Sequence, residues 1–410
     1  MANNSIRFII IALAWLSAGC HHAEKKNQKV KLSSSKNEKK VTAGEWKSET
    51  TKLINGAASV SFDPLNDTVY LLGRDSVYAQ NASSGKITAS AYRSGAHPAM
   101  AGNQSVYIGN WHNAVKLLNY YLDRKFVALF DLHSLSWNKT FTYPDTATDY
   151  WQTNKFYSAA DTSVYVLGGY GHYRYRNEVL KYSLNKANWQ KINPTGDFFR
   201  PRYLSALGVT SKGAYILGGY GSAQGRQLLG ARNFYDLMFY NVDSASFKKI
   251  YELNFDKAVT FANSMIVDEP NNLFYALAFE NHKYNSGLQL IEGSLKKPAF
   301  KWVANEIPYL FNDITSFADL FYSPKSKKLI AVTMLTQGDK TEVRLYSLTP
   351  PRLQTSNGRQ SVKVFKFLTD RSLEITLFSF AAILFLSISF IKKPLMKKGL
   401  NNDKKPGEIK

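Results

Sequence analysis

The chain has 410 residues, a net charge of +21 and a single cysteine, with 44% hydrophobic and 14% aromatic residues. This hydrophobic content is enough for a large core in one domain or two smaller ones, and the single cysteine excludes a disulfide-stapled scaffold. The 25 Gly, 25 Tyr and 25 Phe indicate many short strands with tight turns, so an all-β fold is expected.

The positive charge is concentrated at the two ends of the chain. Residues 24–40 and 392–410 each carry a net charge of +5, so +11 is spread over everything else. Both ends adjoin predicted membrane segments, where lysines are attracted to anionic lipid head groups. We therefore expect no nucleic-acid partner, although the net charge alone would favour one.

The N-terminal segment has the order of a secretory signal, in which Arg7 is followed by an apolar run and then by small residues. A signal peptide is predicted over 1–19, and a retained transmembrane helix is the alternative. LSAGC resembles the lipobox of bacterial lipoproteins, except that Ser17 stands where Leu is usual. The resemblance implies lipidation of Cys20, with plain cleavage as the alternative. A Lys/Ser-rich linker is expected over 20–43.

A repeat dominates the middle of the chain. VYVLGGYG at 164–171 returns as AYILGGYG at 214–221, and the two glycine pairs are 50 residues apart. Short alternating runs broken by Gly, Asn and Asp are typical of strands joined by hairpins. Apolar strands also end in aromatic pairs that are expected to fill the space between sheets. These pairs are Phe130 and Trp137, Tyr182 and Trp189, and Tyr240 and Phe247.

These features resemble the kelch repeat, in which a strand ending in Gly-Gly is followed by a Tyr and later by a Trp. PRYLSA at 201–206 resembles the segment that opens the next kelch blade. With weaker units included, the resemblance covers about three quarters of the chain, and it implies a six-bladed kelch β-propeller over 44–353. A stray strand around Trp46 is expected to pair near Tyr346 and close the ring.

The enzyme sites of similar propellers are not matched by these residues. The copper site of galactose oxidase needs a thioether between Tyr and Cys, and Cys20 is the only cysteine. The Ser-x-Asp-x-Gly-x-Thr-Trp turns of sialidases do not occur. His21 and His22 could bind a metal, but they lie in a tail without fixed geometry. The sequence therefore predicts no enzyme, no cofactor and no metal.

Long aromatic and basic loops follow the glycine pairs and are the candidate ligand-binding elements. Loops at one blade position emerge on one face, so their side chains are expected to converge near the axis on a protein or glycan ligand. Solvated loop tips are the alternative. The candidate residues, including two assigned to the same place one unit earlier, are Trp111, His112, His172, Tyr173, Tyr175, Arg226 and Arg232.

The uncharged apolar stretch 375–391, extended to Leu373 with Glu374 at the membrane interface, predicts a single transmembrane helix over 373–391, after the propeller and a juxtamembrane linker at 354–372. A buried core helix is the alternative. The tail at 392–410 is rich in lysine, and positive residues stay on the cytoplasmic side. We therefore expect a single-pass protein of the bacterial inner membrane, with the propeller in the periplasm and the C-terminus in the cytoplasm.

The sequence as a whole predicts a membrane-tethered binding module, a sensor or scaffold for a protein or glycan. It resembles Bacteroidetes regulators that join a kelch propeller, one membrane helix and a cytoplasmic helix-turn-helix domain, although no such output domain follows the helix here. Periplasmic sugar mutarotases of kelch type suggest an alternative, against which the few acidic residues near the loops argue. A structural protein of the envelope is the third possibility.

Overall fold

A computed structural model describes residues 44–95, 104–141 and 148–350. Within these ranges every regular element is a strand, except for 3-10 turns at Leu122–Arg124 and Asp313–Thr315, so the all-β prediction is confirmed. The described residues contain no helix that is long and apolar enough to cross a membrane. The predicted signal peptide, Cys20 and the predicted span at 373–391 lie outside the described residues.

The chain winds through consecutive antiparallel arrays, in each of which successive strands lie side by side. A single strand, β1 (Lys47–Asn55), precedes the arrays. The first array contains β2 (Ser59–Asp63), β3 (Thr68–Leu72), β4 (Ser76–Asn81) and β5 (Ile87–Ala91). The second contains β6 (Gln104–Trp111), β7 (Ala114–Tyr121), β8 (Phe126–Asp131) and β9 (Ser136–Trp137).

A small hairpin interrupts the third array. In chain order the strands of this region are β10 (Asn154–Ser158), β11 (Ser163–Leu167), β12 (Tyr170–Gly171), β13 (Arg174–Tyr175), β14 (Val179–Ser183) and β15 (Asn188–Ile192). The hairpin is the separate two-stranded sheet β12–β13, and the array itself has the order β10-β11-β14-β15. The hairpin therefore projects from the connection between the second and third strands of this array.

Two further arrays follow within one larger sheet. Two short strands, β16 (Thr195–Gly196) and β17 (Arg202–Tyr203), precede them. The fourth array contains β18 (Ala206–Thr210), β19 (Gly213–Gly221), β20 (Arg232–Asn241) and β21 (Ser246–Glu252). The fifth contains β22 (Thr260–Asp268), β23 (Leu273–Phe279), β24 (Gln289–Ser294) and β25 (Phe300–Trp302). The last array contains β26 (Ser316–Ser323), β27 (Lys328–Gln337) and β28 (Lys340–Leu348), together with β1.

The sheet count differs from the sequence prediction. β18 pairs in parallel with β22 through Leu207 and Ser264, and this joins the fourth and fifth arrays into a ten-stranded sheet. The described chain thus has four separate four-stranded sheets in a propeller-like arrangement, and the prediction of six separate blades is wrong as stated. The physical reason is that the first strands of neighbouring arrays lie close enough for two of them to share a hydrogen-bonded pairing.

Buried apolar clusters lie between consecutive arrays. Phe156 of the third array packs with Met238 of the fourth, and Val60 of the first packs with Val332 of the last. Burial of such surfaces supplies the main stabilisation of the arrangement. The aromatic residues predicted to be core are buried, except that Trp189 is half-buried against Tyr182.

The N-terminal strand closes the arrangement, as the sequence predicted. β1 runs antiparallel to β28, with pairings from Lys47 with Ser347 to Asn55 with Lys340. Ile54 of β1 is buried in the cluster that joins the last array to the first. The last array thus receives its outer strand from a segment almost 300 residues away, which removes an exposed sheet edge.

Side chains join the first strands of neighbouring arrays around the axis. Asn154 donates from Nδ2 to the Ser205 carbonyl at 2.6 Å, and Ser264 donates from Oγ to the Leu320 carbonyl at 2.9 Å. Backbone groups on the inner edges of these sheets would otherwise be buried without partners. Small polar residues therefore recur in the first strands. Apolar side chains at these positions would leave the backbone groups of the inner edges without hydrogen-bond partners.

We expect the closing strand to contribute strongly to stability through its inward face alone. Ile54→Ala removes a side chain that is 1% exposed and should lower the free energy of unfolding by about 2 to 5 kcal/mol. Leu53→Ala, on the outward face of the same strand and 54% exposed, should change it by less than about 0.5 kcal/mol. Urea unfolding of both variants measures the difference. Equal effects would contradict closure through β1.

Candidate functional site

The two ends of the arrays differ in their connections. Each first strand begins at the end where the second and third strands are joined, because neighbouring strands run antiparallel. We call this end the loop face; it carries the long connections 168–178, 222–231 and 280–288. The opposite end, the turn face, carries the connections between first and second strands, such as 112–113 and 211–212.

Two loops on the loop face are held together by backbone hydrogen bonds. The Tyr175 amide donates to the Gly225 carbonyl at 2.8 Å, and the Gln227 amide donates to the Tyr173 carbonyl at 3.0 Å. Arg174 and Arg226 lie directly opposite each other in this pairing. We call residues 170–176 and 224–230 the paired-loop platform. Its backbone is ordered by the same kind of pairing as a sheet, so the points from which its side chains project are fixed.

The tips of the platform expose apolar side chains. His172 and Tyr173 form the two-residue turn of the β12–β13 hairpin, with φ values of 46° and 60°, as a type I′ turn requires. Tyr173 is 74% exposed and Leu228, on the other loop, is 90% exposed. Apolar side chains that are exposed together on an ordered surface indicate an interaction site, whereas single exposed apolar side chains are common on any protein.

The arginines of the platform differ in their partners. Asp149 is in hydrogen-bond contact with His172 Nδ1 and forms an ion pair with Arg176 Nη2 at 2.8 Å. Neither Arg174 nor Arg226 has an ion-pair partner among the described residues. The guanidinium groups of these two exposed arginines are therefore free to bind anionic groups.

Tyr175 lies under the platform rather than on it. The side chains of β13 alternate, so Arg174 points outward while Tyr175 is buried, 4% exposed, in contact with Tyr170, Tyr203 and Tyr220. Burial raises the pKa of Tyr175 above its ordinary value. Tyr175 is therefore not among the exposed side chains of the platform, and it supports the loops from below.

The tyrosines beneath the platform form a packed floor. Ring centroids of Tyr170 and Tyr203 are 5.1 Å apart, and the Tyr203 hydroxyl donates to Asp313 at 2.7 Å. Burial, with the carboxylate of Asp313 beside it, raises the pKa of Tyr203. The Tyr170 hydroxyl also donates to Gln227 at 2.7 Å, and this bond fastens the second loop to the floor.

Trp111 and His112 are not near the platform. Trp111 ends β6 and His112 lies in the turn that joins β6 to β7, a connection between first and second strands. Both residues are therefore on the turn face, and the prediction that they share a face with His172 is wrong. The physical reason is that SVYIGNW forms a first strand, whereas the similar VYVLGGYG forms a second strand.

The remaining predicted residues lie on the loop face. Arg226 is exposed on the platform itself. Arg232 is exposed at the start of β20, with its guanidinium 5.7 Å from the centroid of the Phe234 ring. The structure therefore brings together His172, Tyr173, Arg226 and, at the edge, Arg232.

A buried arginine anchors the platform, and sequence reasoning missed it. Arg202 is 0% exposed and binds Asp236 through two bonds, Nη1 to Oδ1 at 2.5 Å and Nη2 to Oδ2 at 2.9 Å. Its guanidinium also donates to the Gly218 carbonyl at 2.9 Å and lies between the rings of Phe199 and Phe234. The PRYLSA segment was the only sequence signal for this residue.

The glycine pairs are required by the close approach of this segment. The Gly169 amide donates to the Arg202 carbonyl at 2.9 Å. A Cβ on Gly168 would lie 2.7 Å from that carbonyl oxygen, and Gly168 and Gly169 have φ values of 64° and 109°, which only glycine adopts readily. The Arg202 amide in turn donates to the Arg176 carbonyl, at the base of the platform.

The described residues contain no group of three His, Cys, Asp or Glu side chains that could hold a metal ion. Among the predicted site residues of the platform, His172 contacts a carboxylate, that of Asp149. The groups that the platform exposes are aromatic, aliphatic and guanidinium groups.

No known family model matches the sequence. No curated protein matches it either. Among solved structures there are many matches, one of which is described as "Structure of YjhT". This chain is similar to it with 11% identity and a TM-score of 0.43, over 72% of this chain and 94% of that one. Because the likeness is so distant, the propeller-like arrangement rests on the strand pairing of this chain.

We expect Arg202→Met to lower the free energy of unfolding by about 3 to 5 kcal/mol, because buried Asp236 would lose both bonds from Arg202 and keep only the contact with Arg200, whose Nη1 lies 3.7 Å from Oδ2. Adding Asp236→Leu should recover at least half of the loss, since no uncompensated charge then remains. Arg232→Met is the matched control, because Arg232 lies over the same Phe234 ring but is exposed. Urea unfolding measures all three. A double variant as unstable as the single one would contradict this account.

Proposed function

We propose that the chain is a binding module of kelch-propeller type and that the paired-loop platform is its ligand surface. The observation that carries this proposal is the ordered projection of exposed Tyr173 and Leu228 beside two arginines without acidic partners. Loops on a rigid scaffold are the usual position of binding residues.

The platform favours a partner that carries both apolar and anionic groups. Like charges directly opposite each other destabilise a strand pair, and Arg174 and Arg226 are placed in this way. A carboxylate or sulfate of the partner would relieve that repulsion, and guanidinium binds such groups through two parallel bonds. Tyr and Arg are also the residue types enriched at binding hot spots. An acidic protein surface or an acidic glycan therefore fits best.

Order in the free protein would make binding efficient. A loop that must be ordered on binding loses conformational entropy, and this loss reduces affinity. Here the bonds between Tyr175 and Gly225, and between Gln227 and Tyr173, already fix the backbone of both loops. The tyrosine floor fixes them from below. The platform can therefore use most of its contact energy for affinity.

The proposal keeps the location predicted from the sequence. The module is tethered to the bacterial inner membrane through 373–391, with a lipid on Cys20 as a second anchor and the propeller in the periplasm. Signals from a sensor of this kind would pass to a separate protein through the helix or the lysine-rich tail. A scaffold role would need no such partner.

Sugar isomerisation is a second candidate, favoured by the contact between His172 and Asp149. A histidine held by a carboxylate can act as an acid or a base. The His172 side chain is 62% exposed, however, and a catalytic pair is normally enclosed where water is excluded. Binding is therefore the function that the geometry supports best.

We expect a photo-crosslinking amino acid at Tyr173 or Leu228 to capture a partner in intact cells, because both side chains project from the platform. The same group at Lys186 or Lys212, exposed on the turn face, should capture nothing. Crosslinking should fall at least tenfold with Arg174→Ala and Arg226→Ala together. Lys186→Ala with Lys212→Ala removes the same charge and is the matched control.

Crosslinks of equal yield from both faces, or yields unchanged by loss of the two arginines, would contradict the platform as the binding surface. A melting curve for each variant checks that folding is retained. Since all four substituted residues are exposed, none is expected to shift the melting temperature by more than a few degrees.

The proposed topology is tested by two introduced cysteines. Lys212→Cys, in the propeller, should react with an impermeant thiol reagent in intact spheroplasts. Lys404→Cys, in the tail, should react only after detergent is added, since the tail is cytoplasmic in this proposal. The parent chain gives the background from Cys20. Labelling of the Lys404→Cys protein without detergent would contradict the arrangement.

A further inference from the structure

A cavity runs along the axis and is distinct from the platform. It has a volume of about 500 Å3 and is lined by the first strands of all the arrays, β2, β6, β10, β18, β22 and β26. Volumes of this size are typical of small-molecule sites. Its wall includes Pro64, Val209 and Val267 near the ends of first strands, so it opens on the turn face. A smaller cavity of about 110 Å3 lies toward the loop face.

Lys155 separates the two cavities and lines both. Its side chain extends from β10 toward β26, where Nζ lies 5.4 Å from the centroid of the Phe317 ring. Asp319, on β26 and 4% exposed, lines the larger cavity. The two charged groups are not within 4 Å of each other, and neither forms an ion pair with any other residue that the structure describes. They therefore face one cavity without neutralising each other directly.

The surroundings of these groups disfavour isolated charges. Burial lowers the pKa of Lys155, an effect that Asp319 opposes. Burial raises the pKa of Asp319, an effect that Lys155 and a hydrogen bond with Ser264 oppose. A buried charge is costly unless it is paired and hydrogen-bonded. A ligand that supplies a partner to each group would therefore be stabilised by both.

The same cavity holds an unused hydrogen-bond donor and apolar walls. Asn263 is 6% exposed, and its side-chain Nδ2 has no hydrogen-bond partner among the described residues. An amide in this state normally binds an acceptor. Phe156, Phe321 and Leu320 form part of the apolar wall. The cavity thus offers an ammonium, an amide donor, a carboxylate and apolar surface.

We propose that the axial cavity binds the zwitterion of an α-amino acid with an apolar side chain. The ligand carboxylate accepts bonds from Lys155 and Asn263, the ligand ammonium donates to Asp319, and the ligand side chain packs against the aromatic wall. A simple anion would meet the carboxylate of Asp319, and a simple cation would meet the ammonium of Lys155. Only a ligand with both charges complements both groups, and this binding needs no part of the platform.

The test is calorimetric titration of the purified full chain in detergent with phenylalanine and leucine. N-acetylphenylalanine keeps only the carboxylate, and phenylalanine amide keeps only the ammonium, so both should bind at least tenfold more weakly than phenylalanine. Glucose, a neutral polar molecule, should not bind. No heat with phenylalanine or leucine at millimolar concentration, or binding of either blocked analogue as tightly as phenylalanine, would overturn the proposal.

Variants locate the site. Lys155→Met and Asp319→Asn should each weaken phenylalanine binding at least tenfold, whereas Lys212→Met, an exposed lysine on the turn face, should leave it unchanged. Binding unchanged in Lys155→Met would overturn the proposal. Asp319→Asn preserves the shape of the side chain and provides the test if Lys155→Met does not fold. The platform variants Arg174→Ala and Arg226→Ala should bind phenylalanine normally, so failure of this inference is distinguishable from failure of the platform.

Discussion

The buried ion pair between Arg202 and Asp236 is the interaction on which the loop face depends. Removing two charges from water is costly, and the cost is offset only where the geometry is close to ideal. Here two parallel bonds, a further bond to the Gly218 carbonyl and aromatic rings on both sides meet that requirement. Arg202 is thereby fixed in position, and both glycine pairs pack against the short strand that contains it.

The order of the platform follows from this anchor. The Arg202 backbone bonds to Gly169 and Arg176, on either side of the β12–β13 hairpin. The hairpin then orders the second loop through the Tyr175 and Gln227 amides. Exposed side chains at the tips are therefore connected to the core by a short chain of hydrogen bonds.

The axial cavity depends on a different constraint, the closure of the arrays by β1, which brings β10 and β26 to opposite sides of one axis.

Local periodic signals in the sequence predicted local structure well. The strand near Trp46 pairs with β28 as predicted, and the aromatic pairs are buried except for the half-buried Trp189. The number of separate sheets was wrong, because a single pairing of Leu207 with Ser264 is invisible in the sequence. The kelch assignment, the membrane segments and the location stay predictions.

The site was predicted only in part, because side-chain direction and face are not encoded in composition. Tyr175 and Arg174 lie in the same basic, aromatic loop, and only the alternation of β13 separates the buried one from the exposed one. Trp111 was assigned to the wrong face because a first strand and a second strand have similar sequences. Lys155 and Asp319 are 164 positions apart, and only the closed arrangement places them in one cavity.

Hydrogen exchange of the platform amides tests the central claim, that the buried ion pair orders the ligand surface. The amides of Tyr175 and Gln227 should exchange slowly in the native chain, although both lie in connections outside the four-stranded arrays. In Arg202→Met they should lose more protection than amides of the first strands, such as that of Leu320. Exchange of the two platform amides at the rate of an unstructured chain, or protection that Arg202→Met leaves unchanged, would contradict the account.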